Sequence, residues 1–411
     1  MLEIRPFQAL RYDFERGGDI SALIAPPYDV LNQADKDALL GKSQHNIVAI
    51  DLPHLPPKSA GPARVYAQAA RTLEAWLGDG ALIRERQPAL YLYHQAFEHG
   101  GTTYTRRKFI ARVRLAAFAE GTILPHEQTF GGPKEDRLAL MKATRCQLSP
   151  IFGLYADRQD VIGQAFSATS ATPPHATGTL GGVQNRVWVV DDATVIGRVA
   201  CEMAGKKVYI ADGHHRYGTA LMYRDWCAGQ QGGSLPPDHP ANYVMFVLAS
   251  MDDPGCLILP YYRALVNVTI ETLLDRWQPG VGRCAAGDAD LTLHAPTDGS
   301  EVALRFTNRD VLKTLSPNQP DAWYDLDYAY LHRYLIDELL GNEAHILYAK
   351  SEARAKEAAA TSDGVALLVK ATPMAQLRAV SEAGGLMPQK STYFYPKLAT
   401  GIAINPLSRG F

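Results

Sequence analysis

The densest group of chemically active side chains is the run from residue 209 to residue 220, Tyr-Ile-Ala-Asp-Gly-His-His-Arg-Tyr-Gly-Thr-Ala. It places Asp212, two imidazoles and Arg216 beside Gly213, a residue that allows a sharp turn. A guanidinium next to the backbone N–H groups and positive dipole end of a helix forms a site for an oxyanion such as phosphate. Asp212 is placed to hold a divalent cation beside that anion. The alternative is a capped helix with surface histidines.

Two elements of secondary structure must position this run. Residues 207–211 are apolar and rich in β-branched side chains, which predicts a short buried strand. Residues 219–226 have the spacing of an amphipathic helix. The run is therefore predicted to be a strand-to-helix turn, with an anion bound at the start of the helix.

A second polar cluster occupies residues 124–142. Lys134 and Arg137 follow a Gly-Gly-Pro turn at the start of a predicted helix, and this arrangement suits a polyanionic ligand. Glu127 precedes the turn and is a candidate general base or metal ligand. The alternative for the two basic residues is a solvated helix face.

Asp29 is a separate candidate near the N-terminus. It follows two consecutive prolines and one tyrosine, in a stretch whose backbone is stiff and extended. Three roles remain open for its carboxylate: the general base for a substrate hydroxyl, a metal ligand, or the cap of the helix predicted to start near residue 32.

A third polar cluster, Lys390, Ser391 and Thr392, lies near the C-terminus. A Lys-Ser-Thr run suits phosphate binding, but the glycines of a P-loop are absent, which excludes a Walker-type site. A turn with exposed hydroxyls is the alternative.

Length and composition limit the class of protein. A chain of 411 residues exceeds one ordinary domain, so two cores, or one core with a large insertion, are expected. The composition, with 46% hydrophobic and 20% charged residues, is that of a soluble globular protein. The net charge is −2 and the 41 basic residues are interspersed with 43 acidic ones, which argues against a nucleic-acid-binding protein.

The cysteines and the hydropathy pattern indicate a compartment. The five cysteines are widely spaced and include no Cys-x-x-Cys pair, so we expect reduced thiols. No uncharged run is long enough to span a membrane, and the N-terminus has no apolar signal core. The protein is predicted to be cytoplasmic, with no membrane partner.

The central run resembles a motif of the ParB/sulfiredoxin-like fold as seen in free serine kinases, where it lines the nucleotide phosphates. Sulfiredoxins carry a catalytic cysteine at this turn, and Gly213 and His214 stand there instead, which removes the redox nucleophile. The chain as a whole resembles a bacterial and archaeal family, domain of unknown function 1015, over nearly its full length. The shared landmarks are residues 4–7 (Ile-Arg-Pro-Phe), 25–30 (Ala-Pro-Pro-Tyr-Asp-Val), Asp136-Arg137, 211–217 and 387–397.

The resemblance implies a fold and a reaction. The fold would be α+β, with an elaborated ParB/sulfiredoxin-like unit carrying a large insertion in residues 1–230 and a second α+β region in residues 231–411. The reaction would be phosphoryl transfer from ATP or ADP, with Mg²⁺, to the hydroxyl of a small metabolite, with free L-serine as the first candidate.

The candidate residues then take roles in that reaction. Asp212 would hold the metal, and the catalytic residues would be Asp29, Glu127, His214 and His215. The nucleotide phosphates would be bound by Gly213, His214, His215, Arg216, Lys134, Arg137, Lys390, Ser391 and Thr392.

Other functions use the same groups. A metal-assisted phosphatase or nucleotide hydrolase, acting for example on phosphoserine, would replace the hydroxyl by water. A non-catalytic nucleotide-sensing module would bind nucleotide without turnover. DNA partition is disfavoured by the charge balance. The oligomeric state is left open.

Overall fold

The computed structural model of the chain describes residues 1–16, 18–57, 59–127, 131–341 and 345–408. The chain divides into two compact units. Unit 1 comprises Met1–Leu124, Thr129–Cys256 and Pro396–Phe411, and unit 2 comprises Pro125–Gln128 and Leu257–Tyr395. The boundary predicted after residue 230 falls inside unit 1, and the division into 1–230 and 231–411 stays a prediction.

The strands are numbered in chain order. They are β1 Ile4–Arg5, β2 Leu10–Tyr12, β3 Leu82–Arg84, β4 Leu90–His99, β5 Thr102–Arg114, β6 Ile123–Leu124, β7 Cys146–Gln147, β8 Ile151–Tyr155, β9 Ala176–Leu180, β10 Val183–Val190, β11 Val208–Asp212, β12 Tyr243–Ser250, β13 Leu257–Leu259, β14 Tyr262–Leu265, β15 Val281–Arg283, β16 Leu291–His294, β17 Glu301–Phe306, β18 Ile346–Ala349, β19 Val365–Val369, β20 Tyr393–Tyr395 and β21 Asn405–Pro406.

The α-helices are numbered in the same way. They are α1 Gln33–Lys42, α2 Val48–Asp51, α3 Ala63–Gly78, α4 Gly131–Thr144, α5 Val161–Ala165, α6 Ser167–Ser170, α7 Ala193–Ala204, α8 His214–Gln230, α9 Ile270–Trp277, α10 Val311–Leu315, α11 Asp321–Tyr324, α12 Asp327–Ala329, α13 Glu352–Thr361 and α14 Met374–Glu382. A π-helix, Tyr330–Leu340, follows α12 directly, and short 3₁₀ turns include Tyr28–Val30.

A mixed sheet forms the centre of unit 1. Within the described residues it contains nine strands in the order β6-β11-β8-β12-β5-β4-β10-β9, with β1 paired to β5. β6 is parallel to β11 and β8 is parallel to β12, whereas the other neighbours are antiparallel. Residues 90–97 and 103–115 alternate in polarity across Glu98-His-Gly-Gly, which predicts a β-hairpin. The structure confirms it as β4 and β5, joined at Gly100 and Gly101, which both have positive φ as a tight hairpin turn requires.

The core of unit 1 follows from the burial of its central strands. All eight residues of β12 are buried, because β12 lies between β8 and β5 and both of its faces are covered. Phe246 from β12 packs in one cluster with Phe109 from β5 and Trp188 from β10. The continuous apolar run of residues 243–250 predicts a buried strand, and the structure confirms this prediction.

Two sequence predictions are wrong in part. Residues 167–177 are small, polar and proline-bearing, which predicts an exposed loop. Most of them are exposed, but residues 167–170 form α6, and residues 176–177 begin β9 because they pair with β10 at the sheet edge. Residues 256–263 are mostly apolar, which predicts one buried strand, but they contain β13 and the start of β14, and these two strands belong to different sheets. Pro260 lies between them and cannot donate to a β-ladder, so the strand breaks there.

Unit 2 is also α+β. Its larger sheet, as far as it is described, is antiparallel with the order β15-β17-β16-β19-β14-β18, and β13 pairs with β20. Small side chains let α13 pack closely on this sheet, where Ala355 and Ala359 meet Ala264 and Ala366. The predicted α+β class is confirmed. In the described ranges, no helix combines the length and apolar character needed to cross a membrane.

Candidate functional site

The central motif has the predicted strand-turn-helix form. β11 ends at Asp212 and α8 begins at His214, with Gly213 between them in the left-handed region at φ +95°. A Cβ on Gly213 would lie 3.0 Å from Cζ of Arg216. The position therefore requires glycine both for its backbone conformation and for the space that the Arg216 side chain occupies.

Two cations converge on the carboxylate of Asp212. Oδ2 of Asp212 lies 3.1 Å from Nζ of Lys397 and 3.5 Å from Nη2 of Arg216. Arg216 also donates from Nη1 to the carbonyl oxygen of Pro150. Burial alone would raise the pKa of Asp212, but the positive charges of Lys397 and Arg216 outweigh it and hold the pKa well below its usual range. Asp212 is therefore ionised at physiological pH, and the three groups carry a net charge of +1.

The first turn of α8 places the two histidines beside this cluster. His214 is buried, and a positive charge on its ring would lower the pKa of Asp212 further. His215 is half-buried, and its carbonyl oxygen accepts a hydrogen bond of 2.9 Å from Oγ1 of Thr219. Lys134 on α4 lies against this helix, since a Cβ on Gly218 would be 3.1 Å from Cδ of Lys134. These residues thus lie on or against the first turns of α8.

Arg137 is held inside unit 1 by two carboxylates. Nε donates to Asp136 at 2.8 Å, and Nη1 donates to the carbonyl oxygen of Asp51 at 2.6 Å and lies 3.6 Å from Oδ1 of Asp51. The guanidinium also covers the ring of Tyr28 at 4.0 Å. Burial raises the pKa of Asp51 although Arg137 opposes this rise, and Ser149 donates to Asp51 at 2.7 Å. Arg137, predicted to bind phosphate, is thus an internally paired cation.

A small cavity joins the two charged clusters. Its volume is about 30 Å³, room for one or two water molecules, and the polar side chains along its wall include those of Asp51, Arg137, Ser149 and Arg216. Burial lowers the pKa of Arg216, but the negative charge of Asp212, with smaller contributions from Tyr28, Asp29 and Asp51, raises this pKa above its usual value. Unit 1 therefore gathers Arg216, Arg137 and their acids into one polar network.

Asp29 stands at the exposed side of this network. It lies in the 3₁₀ turn Tyr28–Val30 and is exposed to solvent. The capping role considered for Asp29 is wrong, because Asn32 caps α1 by accepting from the N–H of Asp35, which closes a capping box. The roles of general base and metal ligand stay predictions.

The remaining candidates belong to unit 2. Residues 126 and 127 lie beside the segment 387–392 there: the N–H of Met387 donates to the carbonyl oxygen of His126 at 2.7 Å, and Glu127 forms a parallel bridge with Met387. Nε2 of His126 lies 3.0 Å from Oγ1 of Thr392. This unit thus brings Glu127 and Thr392 to neighbouring segments.

Lys390 and Ser391 differ in exposure. Lys390 is exposed and has a positive φ of 58°, whereas Ser391 is buried and donates to the carbonyl oxygen of Pro388 at 2.5 Å. The alternative of exposed hydroxyls is therefore wrong for Ser391. Glu127 and Lys390–Thr392 lie in a different unit from Asp212 and Arg216, and their part in a common site stays a prediction.

Sequence reasoning missed several residues of the polar network. Lys397 ends the landmark run 387–397, and this was the signal that could have marked it as a partner for an acid. Asp51 and Ser149 carry no motif, so only the fold reveals them. Within the ranges that the structure describes, no group of three or more His, Cys, Asp or Glu side chains is arranged to hold a metal ion.

Several solved structures resemble this chain weakly. A conserved hypothetical protein from Pyrococcus furiosus has 13% identity and a TM-score of 0.34, covering 72% of this chain and 94% of its own. A free serine kinase in complex with AMP has 12% identity and a TM-score of 0.35, covering 72% and 91%. SbnI with a C-terminal truncation from Staphylococcus aureus has 12% identity and a TM-score of 0.37, covering 74% and 90%. TM-scores of this size do not establish a common fold.

The sequence comparisons give the family. No curated protein matches the chain. A family model described as "Protein of unknown function (DUF1015)" matches residues 4–329, and the chain therefore belongs to the DUF1015 family.

Proposed function

We propose that this protein binds the phosphates of ATP or ADP at the turn between β11 and α8 and transfers a phosphoryl group to the hydroxyl of a small metabolite, with free L-serine as the first candidate. The observation that carries the proposal is the convergence of Arg216 and Lys397 on Asp212 beside a glycine turn at a helix start. Phosphoryl transfer requires mainly positioning and charge neutralisation, which such a cluster supplies.

To bind phosphate, Arg216 and Lys397 would exchange the Asp212 carboxylate for the phosphate oxygens of the nucleotide. Arg216 and Lys397 share the Asp212 carboxylate, which lies 3.5 Å from Nη2 of Arg216 and 3.1 Å from Nζ of Lys397. A phosphate group competes for both cations because it carries more charge and more acceptor oxygens than a carboxylate. The N-terminal turn of α8, including His214 and His215, adds backbone N–H groups and the positive end of the helix dipole.

The same exchange would prepare Asp212 to hold a cation. Mg²⁺ is commonly bound by one or two carboxylates together with substrate phosphates, so one carboxylate next to a phosphate site fits this ion. Asp212 is this carboxylate, and Lys397 and Arg216 would leave it for the nucleotide. The ion supplies neutralisation of the charge on the transferred group.

Asp29 is the proposed general base. Its carboxylate is exposed, so an incoming hydroxyl can reach it, and its charge acts on Arg216. The rigid 3₁₀ turn after two prolines fixes its position. Glu127, in unit 2, is the second candidate for this role.

We also propose a fold family for part of unit 1 and a cellular location for the protein. The strand-glycine-helix turn supports a ParB/sulfiredoxin-like assignment for the part of unit 1 that carries it. The cysteines Cys146, Cys201, Cys227, Cys256 and Cys284 form no disulfide in the described chain, which supports a cytoplasmic location.

Phosphorus NMR tests the proposed reaction. The protein is incubated with Mg²⁺ and ATP or ADP, with and without L-serine, and then with phosphoserine alone. New phosphoserine that depends on serine is the expected result. Release of inorganic phosphate from phosphoserine would instead identify a hydrolase, and unchanged spectra with measurable nucleotide binding would identify a sensor.

Variants link the activity to the site. Arg216→Ala is expected to reduce the rate of phosphoryl transfer by about a hundredfold or more, the usual cost of losing one preorganised contact to transition-state charge. Arg224→Ala is the matched control, because Arg224 lies on the same helix but pairs with Asp225 at 3.1 Å. Equal activity of the two variants would contradict the role of Arg216.

A further inference from the structure

A second pocket of unit 1 lies on α1, α2 and α3 and shares no lining residue with the Asp212 cluster. Its volume is about 470 Å³. The residues along its wall are Lys36 from α1, Ala49 from α2, Pro53, and Arg64, Val65, Gln68, Ala69 and Arg71 from α3. The pocket thus combines a floor of small apolar side chains with three basic residues.

The charge of this pocket is unbalanced. No Asp or Glu lines it, and no ion pair joins Lys36, Arg64 or Arg71 to a carboxylate within the described residues. The acid that acts electrostatically on Lys36 is its neighbour in sequence, Asp37. The described wall of the pocket therefore carries a charge of +3 without an internal counter-ion.

The helix α3 adds to the positive potential. Arg64 lies in its first turn, which contains no acidic residue and has no side-chain cap. A cation at this end of a helix is electrostatically unfavourable unless an anion accompanies it. Arg64, Gln68 and Arg71 are spaced by four and three residues, so they lie on one face of α3. Nη2 of Arg71 donates to Oε1 of Gln68 at 2.6 Å, which orients the guanidinium along that face.

Burial makes Lys36 sensitive to an anion. Its side chain is half-buried, and the removal of its ammonium from water lowers its pKa, an effect that Asp37 only partly opposes. An anion in the pocket would replace the lost hydration.

We propose that this pocket binds a small molecule that carries a diphosphate or triphosphate group. Three cations around one opening match a multivalent anion better than a single carboxylate, and arginine side chains favour phosphate oxygens. The floor formed by Ala49, Val65 and Ala69 leaves room for an uncharged part of the ligand. Inorganic pyrophosphate and a nucleotide such as ADP both carry such a group, and the titration described below distinguishes between them.

The position of the pocket links it to the polar network of unit 1. The helix α2 supplies Ala49 to the pocket and ends at Asp51, the partner of Arg137. On α3, Tyr66 follows Val65 in sequence and donates to Asp136 at 2.6 Å. A ligand in the pocket therefore contacts the same two helices that carry Asp51 and Tyr66.

Calorimetric titration tests the proposal with two probes, inorganic pyrophosphate and ADP, each without added metal. The double variant Arg64→Gln/Arg71→Gln removes two of the three charges from exposed positions. The matched control is Arg186→Gln/Arg198→Gln, which removes two exposed arginines elsewhere in unit 1. Arg216→Ala separates this pocket from the Asp212 site.

We expect pyrophosphate affinity to fall about tenfold or more in Arg64→Gln/Arg71→Gln, which corresponds to about 1.4 kcal/mol. It should stay near wild type in the control Arg186→Gln/Arg198→Gln. In the Arg216→Ala background, where the Asp212 site is removed, the weakening caused by Arg64→Gln/Arg71→Gln should persist. Comparable weakening of ADP binding would show that the pocket also accepts the nucleotide. Pyrophosphate affinity unchanged by Arg64→Gln/Arg71→Gln would overturn the proposal. The proposal would also be overturned if pyrophosphate did not bind and a single-stranded RNA bound through Arg64 and Arg71 instead.

Discussion

Arg216 in unit 1 and Arg263 in unit 2 are both largely removed from solvent, but they are held in opposite ways. Arg216, with 10% of its side chain exposed, is paired with Asp212, a carboxylate that also contacts Lys397. Arg263 is fully buried and donates to the carbonyl oxygens of Tyr261 and Lys390 and, at 3.0 Å, to Nε2 of His332. No ion pair joins Arg263 to a carboxylate in the described part of the chain.

Under the proposed function, Arg216 exchanges its partner and Arg263 does not. A phosphate would take the place of the Asp212 carboxylate, which is a side chain with a second cation, Lys397, beside it. The carbonyl partners of Arg263 are fixed parts of the backbone. Burial, helped by the charge of Arg263, lowers the pKa of His332 to about 3, so this imidazole is neutral and accepts the hydrogen bond. Arg263 is therefore structural, and it fixes the backbone at Lys390.

The largest expected effect is the loss of stability when Arg263 is removed. Arg263→Met leaves buried acceptors without their donor and is expected to lower the free energy of unfolding by about 3 kcal/mol. Arg216→Met should cost clearly less, because Asp212 keeps Lys397. Urea unfolding combined with hydrogen exchange of β14 and β11 measures each unit separately. A larger loss of unfolding free energy in Arg216→Met than in Arg263→Met would contradict this account of the two arginines.

A smaller effect is expected at the glycine of the turn. Gly213→Ala forces an L-residue to φ +95° and places Cβ 3.0 Å from the Arg216 guanidinium, at a cost of about 1–2 kcal/mol. Gly229→Ala on the same helix is the control, since a Cβ there meets nothing within 4 Å. The control should be neutral or stabilising by up to about 1 kcal/mol. Thermal unfolding measures the change in stability of both variants. Equal changes in Gly213→Ala and Gly229→Ala would contradict the special requirement for glycine at position 213.

The effect of pH on stability should be the smallest of the three effects. It arises from the contact between Asp212 and Lys397. The pKa of Asp212 is depressed in the folded protein, so its ionic contacts stabilise the fold above the unfolded-state pKa of about 4, and this contribution is lost as the pH falls through the folded-state pKa. Lys397→Met removes the largest of the charges that depress this pKa. The stability difference between wild type and Lys397→Met should be full near neutral pH and shrink below about pH 4.

Carbon NMR of the Asp212 carboxyl group follows the same change directly. Its titration midpoint should move upward in Lys397→Met, because the nearest positive charge is gone. A midpoint that is the same in both proteins would show that Lys397 does not control this carboxylate.

The sequence predicted local elements better than their assembly. The β4–β5 hairpin and the β11–α8 turn were predictable because alternation, glycine and helical spacing are local signals. The placement of β13 and β14 in different sheets and the strand β9 depend on pairing with distant residues. The same limit applies to the site: Asp212, Gly213 and Arg216 are neighbours in sequence, whereas Lys397 lies 3.1 Å from Asp212 across 185 positions of the chain.

Arg137 shows why residue type alone does not define a ligand contact. A basic residue at a helix start predicted phosphate binding, but Asp136 and Asp51 occupy its guanidinium. Asp51 stands in no recognisable motif, and its approach to Arg137 depends on the packing of α2. The role of Arg137 in phosphate binding stays a prediction.

The most direct test is calorimetric titration of ADP with Mg²⁺ into wild type, Arg216→Ala and the control Arg224→Ala. If Arg216 binds phosphate at the β11–α8 turn, the affinity for ADP should fall by about tenfold or more in Arg216→Ala. The control Arg224→Ala should bind ADP as tightly as wild type does. Equal ADP affinity in all three proteins would contradict the central claim that this turn is a phosphate-binding site.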